Sequence, residues 1–229
     1  MTAAGLESGL AAQAEALRRR VDAGDELLGW KVGLNAAPVQ AALGLDGVVV
    51  GFLTTATALE RGVAHPLAGA SNPGIEPELA VRLGADVPAD PSPAEVADAI
   101  DAIAPALELV DLDRPLDDLH AILADNVFHR GLLLGDFDAA RAGGDLDGLA
   151  VAVRRSGEEA GSVSAAESYG DVLEIVRVVS RRLALMRESL RAGQFVIAGS
   201  LTPIVPVAPG DEVRADFGRL GMLAMEFTD

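Results

Sequence analysis

The chain of 229 residues contains no cysteine, and only 3% of its residues are aromatic. Without cysteine, disulfides, thiol nucleophiles and cysteine-ligated zinc or iron–sulfur centres are excluded. With few aromatic rings, the core must be built from Val, Leu, Ile and Ala, which the 50% hydrophobic content allows. The absence of cysteine fits a cytoplasmic protein, and that is the location that we expect.

Basic residues are scarce as well, with 18 Lys and Arg against 35 Asp and Glu and a formal net charge of −17. Nucleic acids and anionic membrane surfaces attract clustered positive charge, so neither is an expected partner. Residues 1–16 lack the basic stretch and apolar core of a signal peptide. No run of about 20 apolar residues occurs, which predicts no transmembrane helix. Glycine-rich phosphate loops and the G-x-S-x-G serine motif are also missing.

The hydrophobic pattern predicts more strands than helices. The predicted helices span residues 6–21, 36–43, 91–102 (with Ser92 and Glu95 in capping-box spacing), 115–124 and 169–191 (the longest, closed by Gly193). The predicted strands span residues 27–34, 48–53, 74–83, 105–111, 128–134, 146–154, 195–199, 212–217 and 221–227, and residues 136–147 are expected to form a surface loop. The links between the last strands are too short for crossover helices, which favours a mixed or antiparallel sheet, closed or rolled. No domain boundary is evident in residues 1–229.

Two carboxylates sit two residues apart in an otherwise apolar strand, in the segment Gly74–Val81. In a strand, Glu76 and Glu78 point to the same face, where they repel each other and lose hydration. A divalent cation would remove both penalties, because carboxylate oxygens are the ligands that hard ions prefer. The alternative is a surface strand on which both acids are solvated.

A third acid, Glu108, interrupts another apolar strand, where an ionised group needs a partner. Asp111 follows three residues later and would face the opposite way in a regular strand. Glu108 is the more enclosed of the two, so we select it to complete a triad of carboxylates with Glu76 and Glu78. The alternative is an edge strand on which Glu108 faces water.

Three further positions carry polar groups in apolar surroundings. Lys31 lies in the middle of an apolar strand, where it would either act on a substrate or extend to the surface. The hydroxyl-rich turn 199–203 would grip a carboxylate through its backbone N–H groups and hydroxyls, or be an ordinary turn. His129 would serve as a base or a carboxylate clamp, although a lone histidine is more often structural.

Five segments taken together resemble a known family. They are residues 29–34 (GWKVGL), 76–78 (EPE), 105–111 (PALELVD), 124–126 (ADN) and 199–207 (GSLTPIVPV), and residues 209–217 also fit. Their order and spacing are similar to those of the 2-keto-4-pentenoate hydratase and 4-oxalocrotonate decarboxylase branch of the fumarylacetoacetate hydrolase superfamily. The resemblance extends from near residue 8 to the end of the chain.

The resemblance implies an α+β fold, a mixed β-roll or barrel with flanking helices, in a single domain of residues 1–229 whose N-terminal helical segment is shortened. It implies that Mg²⁺ or Mn²⁺ is bound by Glu76, Glu78 and Glu108. The resemblance implies that Lys31 is a catalytic or substrate-binding residue. We assign His129 as a second catalytic residue, and Asn126, Ser200, Leu201 and Thr202 as substrate-binding residues. The substrate would be a small 2-oxo or 2-hydroxy-dienoic acid from aromatic catabolism.

Within the branch, we expect a metal-dependent lyase, with hydration of the substrate as the first reading and decarboxylation as the second. The alternatives are a hydrolase that cleaves a C–C bond in an acylpyruvate, with His129 as its base, and a relative that binds metal without catalysis. The residues 51–57 motivate the last alternative, because they lack an acid that the branch often has there. The expected assembly is a homo-oligomer, or a hetero-complex with a pathway enzyme.

Overall fold

The computed structural model describes residues 3–229, which form two sheets. The larger sheet has seven strands: β1 (Leu27–Gly33), β2 (Val49–Thr54), β4 (Pro73–Leu83), β5 (Ile100–Asp111), β6 (His129–Leu134), β9 (Phe195–Ile197) and β10 (Val205–Pro206). The smaller sheet has five strands: β3 (His65–Pro66), β7 (Ala150–Arg155), β8 (Glu158–Ser164), β11 (Glu212–Asp216) and β12 (Met222–Thr228). The helices are α1 (Ala3–Asp22), α2 (Ala37–Leu43), α3 (Pro93–Ala99), α4 (Leu119–Ala124), α5 (Ala165–Tyr169) and α6 (Val172–Leu185). Short 3₁₀ turns lie at residues 55–57, 139–144 and 218–220.

The larger sheet is mixed and rolled. Its strand order is β2-β1-β9-β4-β5-β6, with β1 and β9 parallel and the other neighbours on this path antiparallel. Just after β2, Ala58 forms a parallel bridge with Leu132 of β6, and Leu59 N donates to Leu132 O at 2.8 Å. Opposite edges of the sheet therefore meet, which confirms the predicted mixed β-roll with flanking helices.

The two faces of the roll differ in character. The outer face packs against the smaller sheet and α6 in the main hydrophobic core. The inner face carries a separate cluster that includes three alanines on β4 and β5, Ala80, Ala104 and Ala106. These alanines are buried on the same face of β4 and β5 as the predicted acids.

Helix α1 packs against α4 and is anchored to the roll by a buried polar side chain. Gln13 is fully buried, and its Nε2 donates to Val50 O of β2 at 2.9 Å. Within residues 3–229, no helix is long and apolar enough to cross a membrane.

Most predicted elements are present, and the errors have identifiable causes. The capping box of α3 is confirmed, with Glu95 N donating to Ser92 Oγ at 3.3 Å and Ser92 N donating to the Glu95 carboxylate at 2.8 Å. The helix predicted over 91–102 is too long, because Ile100 begins β5 and residues 100–102 pair with β4.

The helix predicted over 169–191 is also too long. It begins at Val172 and ends at Leu185, so Gly193 does not close it, and α1, with 20 residues, is longer. Residues beyond it run back to the larger sheet, where Gly193 N donates to Leu83 O of β4 at 2.7 Å. The strands β3, β8 and β10 were not predicted: two of them have two residues each, and β8 is a polar edge strand without hydrophobic alternation.

Candidate active site

Three glutamates meet on the inner face of the roll. Glu76 and Glu78 alternate along β4 and therefore point to the same face. Glu108 on β5 lies directly opposite Glu76 in the antiparallel register, so its side chain shares that face. One carboxylate oxygen from each glutamate lies within 4.8 Å of the other two. The sheet register thus brings together the three acids that the sequence singled out.

Two of the buried carboxylate oxygens have no hydrogen-bond partner in the described part of the chain. Gly199 N donates to Glu78 Oε2 at 2.7 Å, which leaves Glu78 Oε1 unpartnered. Lys31 Nζ and His129 Nδ1 contact Glu108 Oε1 at 2.5 and 2.7 Å, which leaves Glu108 Oε2 unpartnered. Buried oxygens without a partner are costly, and hard divalent cations take oxygen ligands. The residues present therefore fit Mg²⁺ or Mn²⁺.

The three carboxylates differ in charge. Burial, reinforced by the negative charge of Glu108, raises the pKa of Glu76 to about 7. Burial and the charges of Glu108 and Glu76 raise the pKa of Glu78 well above its ordinary value. Burial would also raise the pKa of Glu108, but the charge of Lys31 and the hydrogen bond from His129 hold it below its usual value. The site therefore pairs one firmly ionised carboxylate with two that retain their protons more tightly.

Metal binding should depend on pH with a definite sign. Since the pKa of Glu76 is about 7 in the folded protein and 4.5 ordinarily, the folded state retains a proton that the unfolded chain loses between these values. The metal-free protein should therefore lose stability as the pH rises through this window. A cation needs ionised carboxylates, so the rise in melting temperature caused by Mg²⁺ should be small near about pH 5.5 and grow toward about pH 8. Differential scanning calorimetry measures both trends, and a Mg²⁺ effect that is the same at every pH would contradict the prediction.

Lys31 reaches the carboxylates from β1, across the roll. It aligns with Ile197 of β9, which aligns with Ala80 of β4, so Lys31 shares the inner face with Glu76 and Glu78. Its side chain is 2% exposed. Burial alone would lower the pKa of Lys31, but the charge of Glu108, helped by the other two acids, raises it above its ordinary value. Lys31 is therefore a protonated, buried cation, and it is also the single lysine of the chain.

A glycine and a strained turn create the space for Lys31. Opposite it on β2, a Cβ on Gly51 would lie 2.7 Å from Lys31 Cγ, so only glycine fits there. The residues Asn126, Val127 and Phe128 all have left-handed φ angles, 56°, 56° and 64°. This turn directs Val127 O at Lys31 Nζ, 3.0 Å away. Strain of this kind persists only where the surroundings hold it in place.

The Asn126 side chain supplies that support. Its amide donates to Phe52 O and accepts from Phe52 N, both at 2.8 Å, so it binds the backbone of β2 as a neighbouring strand would. The structure thus places Asn126 beside Lys31 but outside the cavity lining. Its proposed contact with a substrate stays a prediction.

His129 lies behind Glu108, away from the cavity. Its Nδ1 contacts Glu108 Oε1, and its Nε2 lies 3.0 Å from Thr57 Oγ1. Burial lowers the pKa of His129, although the Glu108 carboxylate opposes that effect. His129 is thus a neutral imidazole that touches a candidate metal ligand. Its role in the chemistry stays a prediction, and sequence reasoning gave no signal for the Thr57 contact.

In the turn after β9, two side chains line the cavity, whereas backbone N–H groups make hydrogen bonds to β4. Ser200 and Thr202 line the cavity, whereas Leu201 is buried in the core and its N donates to Pro77 O at 2.8 Å. Gly199 has a φ of 99°, a conformation that favours glycine, and this directs its N–H at Glu78.

Tyr169 holds this turn and was missed by sequence reasoning. Its hydroxyl donates to Gly199 O at 2.6 Å and accepts from Leu79 N at 3.1 Å. The sequence offered one signal for this residue, because Tyr169 is the only tyrosine of the chain. By bridging β4 and the turn, Tyr169 fixes the Gly199 N–H that Glu78 accepts.

A cavity of 490 Å³ opens beside Glu76, the member of the three-glutamate cluster that lines it. Its inner end is lined by polar side chains, namely Lys31, Asn35, Glu76, Ser200 and Thr202. Asn35 belongs to this end because its Nδ2 would lie 2.7 Å from a Cβ on Gly199, in the turn that contacts Glu78. Its remaining walls are mostly apolar and come from the β1–α2 link, β5, the turn before β6 and the turn after β9. The cavity thus joins a charged end to an apolar chamber, as in many small-molecule sites.

A rolled mixed sheet with three converging carboxylates, a buried lysine and an adjoining cavity defines an enzyme-like metal site. The chain belongs to the fumarylacetoacetate hydrolase family, since the family described as "Fumarylacetoacetate (FAA) hydrolase C-terminal" matches residues 23–228. The resemblance and the fold class inferred from the sequence are therefore confirmed.

Relatives with assigned names fall in the expected branch. A 2-keto-4-pentenoate hydratase of Paraburkholderia xenovorans (strain LB400) is 30% identical over 92% of this chain and 79% of its own length. A 4-oxalocrotonate decarboxylase of a Pseudomonas species is 28% identical over 93% of this chain and 83% of its own. The solved 4-oxalocrotonate decarboxylase from Pseudomonas putida G7, complexed with magnesium and adipate, superposes with a TM-score of 0.87 at 28% identity, over 96% of this chain and 84% of that one. These names agree with the prediction of a lyase.

Proposed function

We propose that the protein is a metal-dependent lyase that hydrates a small 2-hydroxy-dienoic acid, as a 2-keto-4-pentenoate hydratase does. The observation that carries the proposal is the pair of buried, unpartnered oxygens of Glu78 and Glu108 beside Glu76, at the inner end of an apolar cavity. Its relatives named as hydratases support the reaction class.

The residues at the inner end have distinct roles. Glu76, Glu78 and Glu108 would hold Mg²⁺ or Mn²⁺, which would withdraw electron density from the 2-oxo group of a bound substrate. Lys31 is protonated and has one N–H donor beyond the two that contact Glu108 and Val127, so it can place a proton or its charge on the substrate. The hydroxyls of Ser200 and Thr202 line the same end and would orient the carboxylate.

His129 acts through Glu108 in this proposal. Lys31 and His129 both contact Oε1 of Glu108, so the other oxygen, Oε2, stays open toward the site. Asn126 and Leu201, which also belong to the proposed substrate-binding set, would contribute by holding the walls of the site. The amide of Asn126 fixes β2, and the backbone of Leu201 fixes the turn that carries Ser200 and Thr202.

Decarboxylation of a 2-oxo-3-enedioate is the second candidate. The observation in its favour is the close superposition on the solved 4-oxalocrotonate decarboxylase. The same electron withdrawal at the 2-oxo group serves both reactions, since each passes through an enolate.

One experiment separates these reactions. The protein with Mg²⁺ is incubated with 2-hydroxypenta-2,4-dienoate, 2-oxo-3-hexenedioate or acetylpyruvate, and the ultraviolet absorbance and CO₂ release are followed. Loss of dienoate absorbance without CO₂ supports hydration. Release of CO₂ from the enedioate supports decarboxylation, and consumption of acetylpyruvate supports C–C hydrolysis. No reaction with any of the three, while Mg²⁺ still binds, would indicate a non-catalytic relative.

We also propose that residues 1–229 act as one domain, that the protein is cytoplasmic, and that it forms a homo-oligomer. Exposed apolar side chains such as Val63 and Met222, 49% and 58% exposed, would be covered by self-association. Sedimentation at micromolar concentration tests the assembly, and a monomer there would contradict it. A pathway enzyme that shifts the sedimentation coefficient would reveal the hetero-complex.

A further inference from the structure

We propose that the cavity selects 2-oxo acids, and the dienoic acids related to them, that carry one carboxylate and an extended apolar tail, and that it rejects dicarboxylates. This inference rests on the proposed function, because it assumes that the 2-oxo-carboxylate end lies at the three glutamates. It adds the charge and the length of the other end of the substrate, the tail.

The part of the cavity away from the glutamates is apolar. Its walls are formed by Val39, Val110, Leu112, Leu116, Phe128 and Ile204. Lys31 is the only cation among the described lining residues, and it is at the inner end in contact with Glu108. A second carboxylate at the tail of a substrate would therefore lose hydration against aliphatic walls without gaining a cationic partner.

Two arginines lie two positions along the chain from residues that line the cavity, and both are already paired. Arg114 follows Leu112, and Arg130 follows Phe128, but neither lines the cavity. Each guanidinium pairs with both Asp113 and Asp125, at distances between 2.8 and 3.0 Å. Turning either arginine inward would break two ion pairs, so this network keeps positive charge out of the chamber.

The size of the chamber favours a tail. The cavity of 490 Å³ lies in the range of pockets that hold ligands larger than a five-carbon acid. Each methylene that moves from water onto an apolar wall should tighten binding by about fourfold. The apolar walls thus lead to two independent predictions: a longer apolar tail should tighten binding, and a charged tail should weaken it.

Calorimetric titration of the whole protein with Mg²⁺ present tests both without requiring turnover. The probes are 2-oxobutanoate, 2-oxohexanoate and 2-oxoadipate; the last two have six carbons each and differ in a terminal methyl or carboxylate. We expect 2-oxohexanoate to bind about tenfold tighter than 2-oxobutanoate and at least about tenfold tighter than 2-oxoadipate. Equal affinity for 2-oxohexanoate and 2-oxoadipate would overturn the inference alone. Failure of all three probes to bind would instead overturn the proposed function.

A pair of matched variants locates the selectivity in the chamber. Leu116 is 47% exposed at the mouth, so Leu116→Arg should fold and place a cation at the tail end. It should shift the preference toward 2-oxoadipate by about tenfold or more. Leu185→Arg makes the same change at an exposed leucine of α6 outside this cavity, and it should keep the parent preference. An unchanged preference in Leu116→Arg, or the same shift in both variants, would overturn the assignment.

Discussion

Replacing Lys31 by methionine should lower turnover by about 100-fold or more, the loss expected when a proton-donating or positioning group is removed. Methionine keeps a long apolar stem in the narrow space over Gly51 and removes the ammonium that contacts Glu108 and Val127 O. Steady-state rates with whichever of the three test compounds the parent protein consumes measure the effect. Parent-level turnover in Lys31→Met would show that the ammonium has no part in the reaction.

The same change should affect stability in a metal-dependent way. Lys31 pairs with Glu108 and its charge also acts on Glu76 and Glu78, and removing one partner of a buried ion pair typically costs about 3–5 kcal/mol. A bound cation replaces the missing charge, so Mg²⁺ should recover most of the loss. Urea unfolding with and without Mg²⁺ separates this effect from a general loss of packing.

Arg82→Met is the matched control for Lys31→Met. Arg82 lies on β4 of the same sheet and pairs with Asp101 at 2.8 Å, but its side chain is 35% exposed and it does not line the cavity. Because exposed pairs contribute about 0–1 kcal/mol, this variant should stay near the parent in both stability and turnover. A loss of turnover equal to that of Lys31→Met would indicate a general effect of removing a cation from the sheet.

The single lysine also allows a chemical test of its protonation state. A protonated, paired amine does not attack a 2-oxo group, so borohydride added with pyruvate should leave no adduct on Lys31. Mass spectrometry assigns the result, since the other amine of the chain is the N-terminus. An adduct at Lys31 would favour a mechanism through an imine of Lys31 over the proposed mechanism, in which Lys31 acts as a protonated amine.

The convergence of the three acids could be predicted from the sequence, because the alternation of side chains along a strand is a local property. Glu76 and Glu78 share a face by their spacing alone, and an acid inside a long apolar strand already demanded a partner. The sequence did not predict the contact between Glu108 and Lys31. Their strands, β5 and β1, are separated in the sheet by β4 and β9, and the two side chains meet only because the sheet is rolled. Such curvature depends on long-range packing that no short pattern encodes.

The supporting residues were harder to predict for a related reason. The left-handed turn at Asn126 contains Val127, a branched residue that disfavours this conformation, so local propensity argues against what is observed. The Asn126 amide on β2 and the Tyr169 hydroxyl on the turn at Gly199 supply the support. Both are contacts between residues 30 or more positions apart, and the polar side chains involved gave no periodic signal.

Replacing Glu78 by glutamine should reverse the order of stability between the metal-free and metal-bound proteins. Gln is isosteric, and its amide oxygen can still accept from Gly199 N, which turns the amide NH₂ toward the other glutamates. Without metal, burial keeps the pKa of Glu78 well above its ordinary value, so the buried position disfavours the carboxylate charge that the unfolded chain carries at about pH 8. Metal-free Glu78→Gln should therefore be more stable than the parent there.

With Mg²⁺ the order should invert, because the NH₂ group cannot ligate a cation. At a concentration 100 times its dissociation constant, Mg²⁺ should stabilise the parent by about 2.7 kcal/mol and stabilise Glu78→Gln by much less. Glu226→Gln, a glutamate exposed on β12, is the matched control and should respond to Mg²⁺ as the parent does. Differential scanning calorimetry near pH 8 measures all three proteins. Equal Mg²⁺ stabilisation of Glu78→Gln and the parent would remove Glu78 from the ligand set, since its unpartnered oxygen would then have no role in holding the cation.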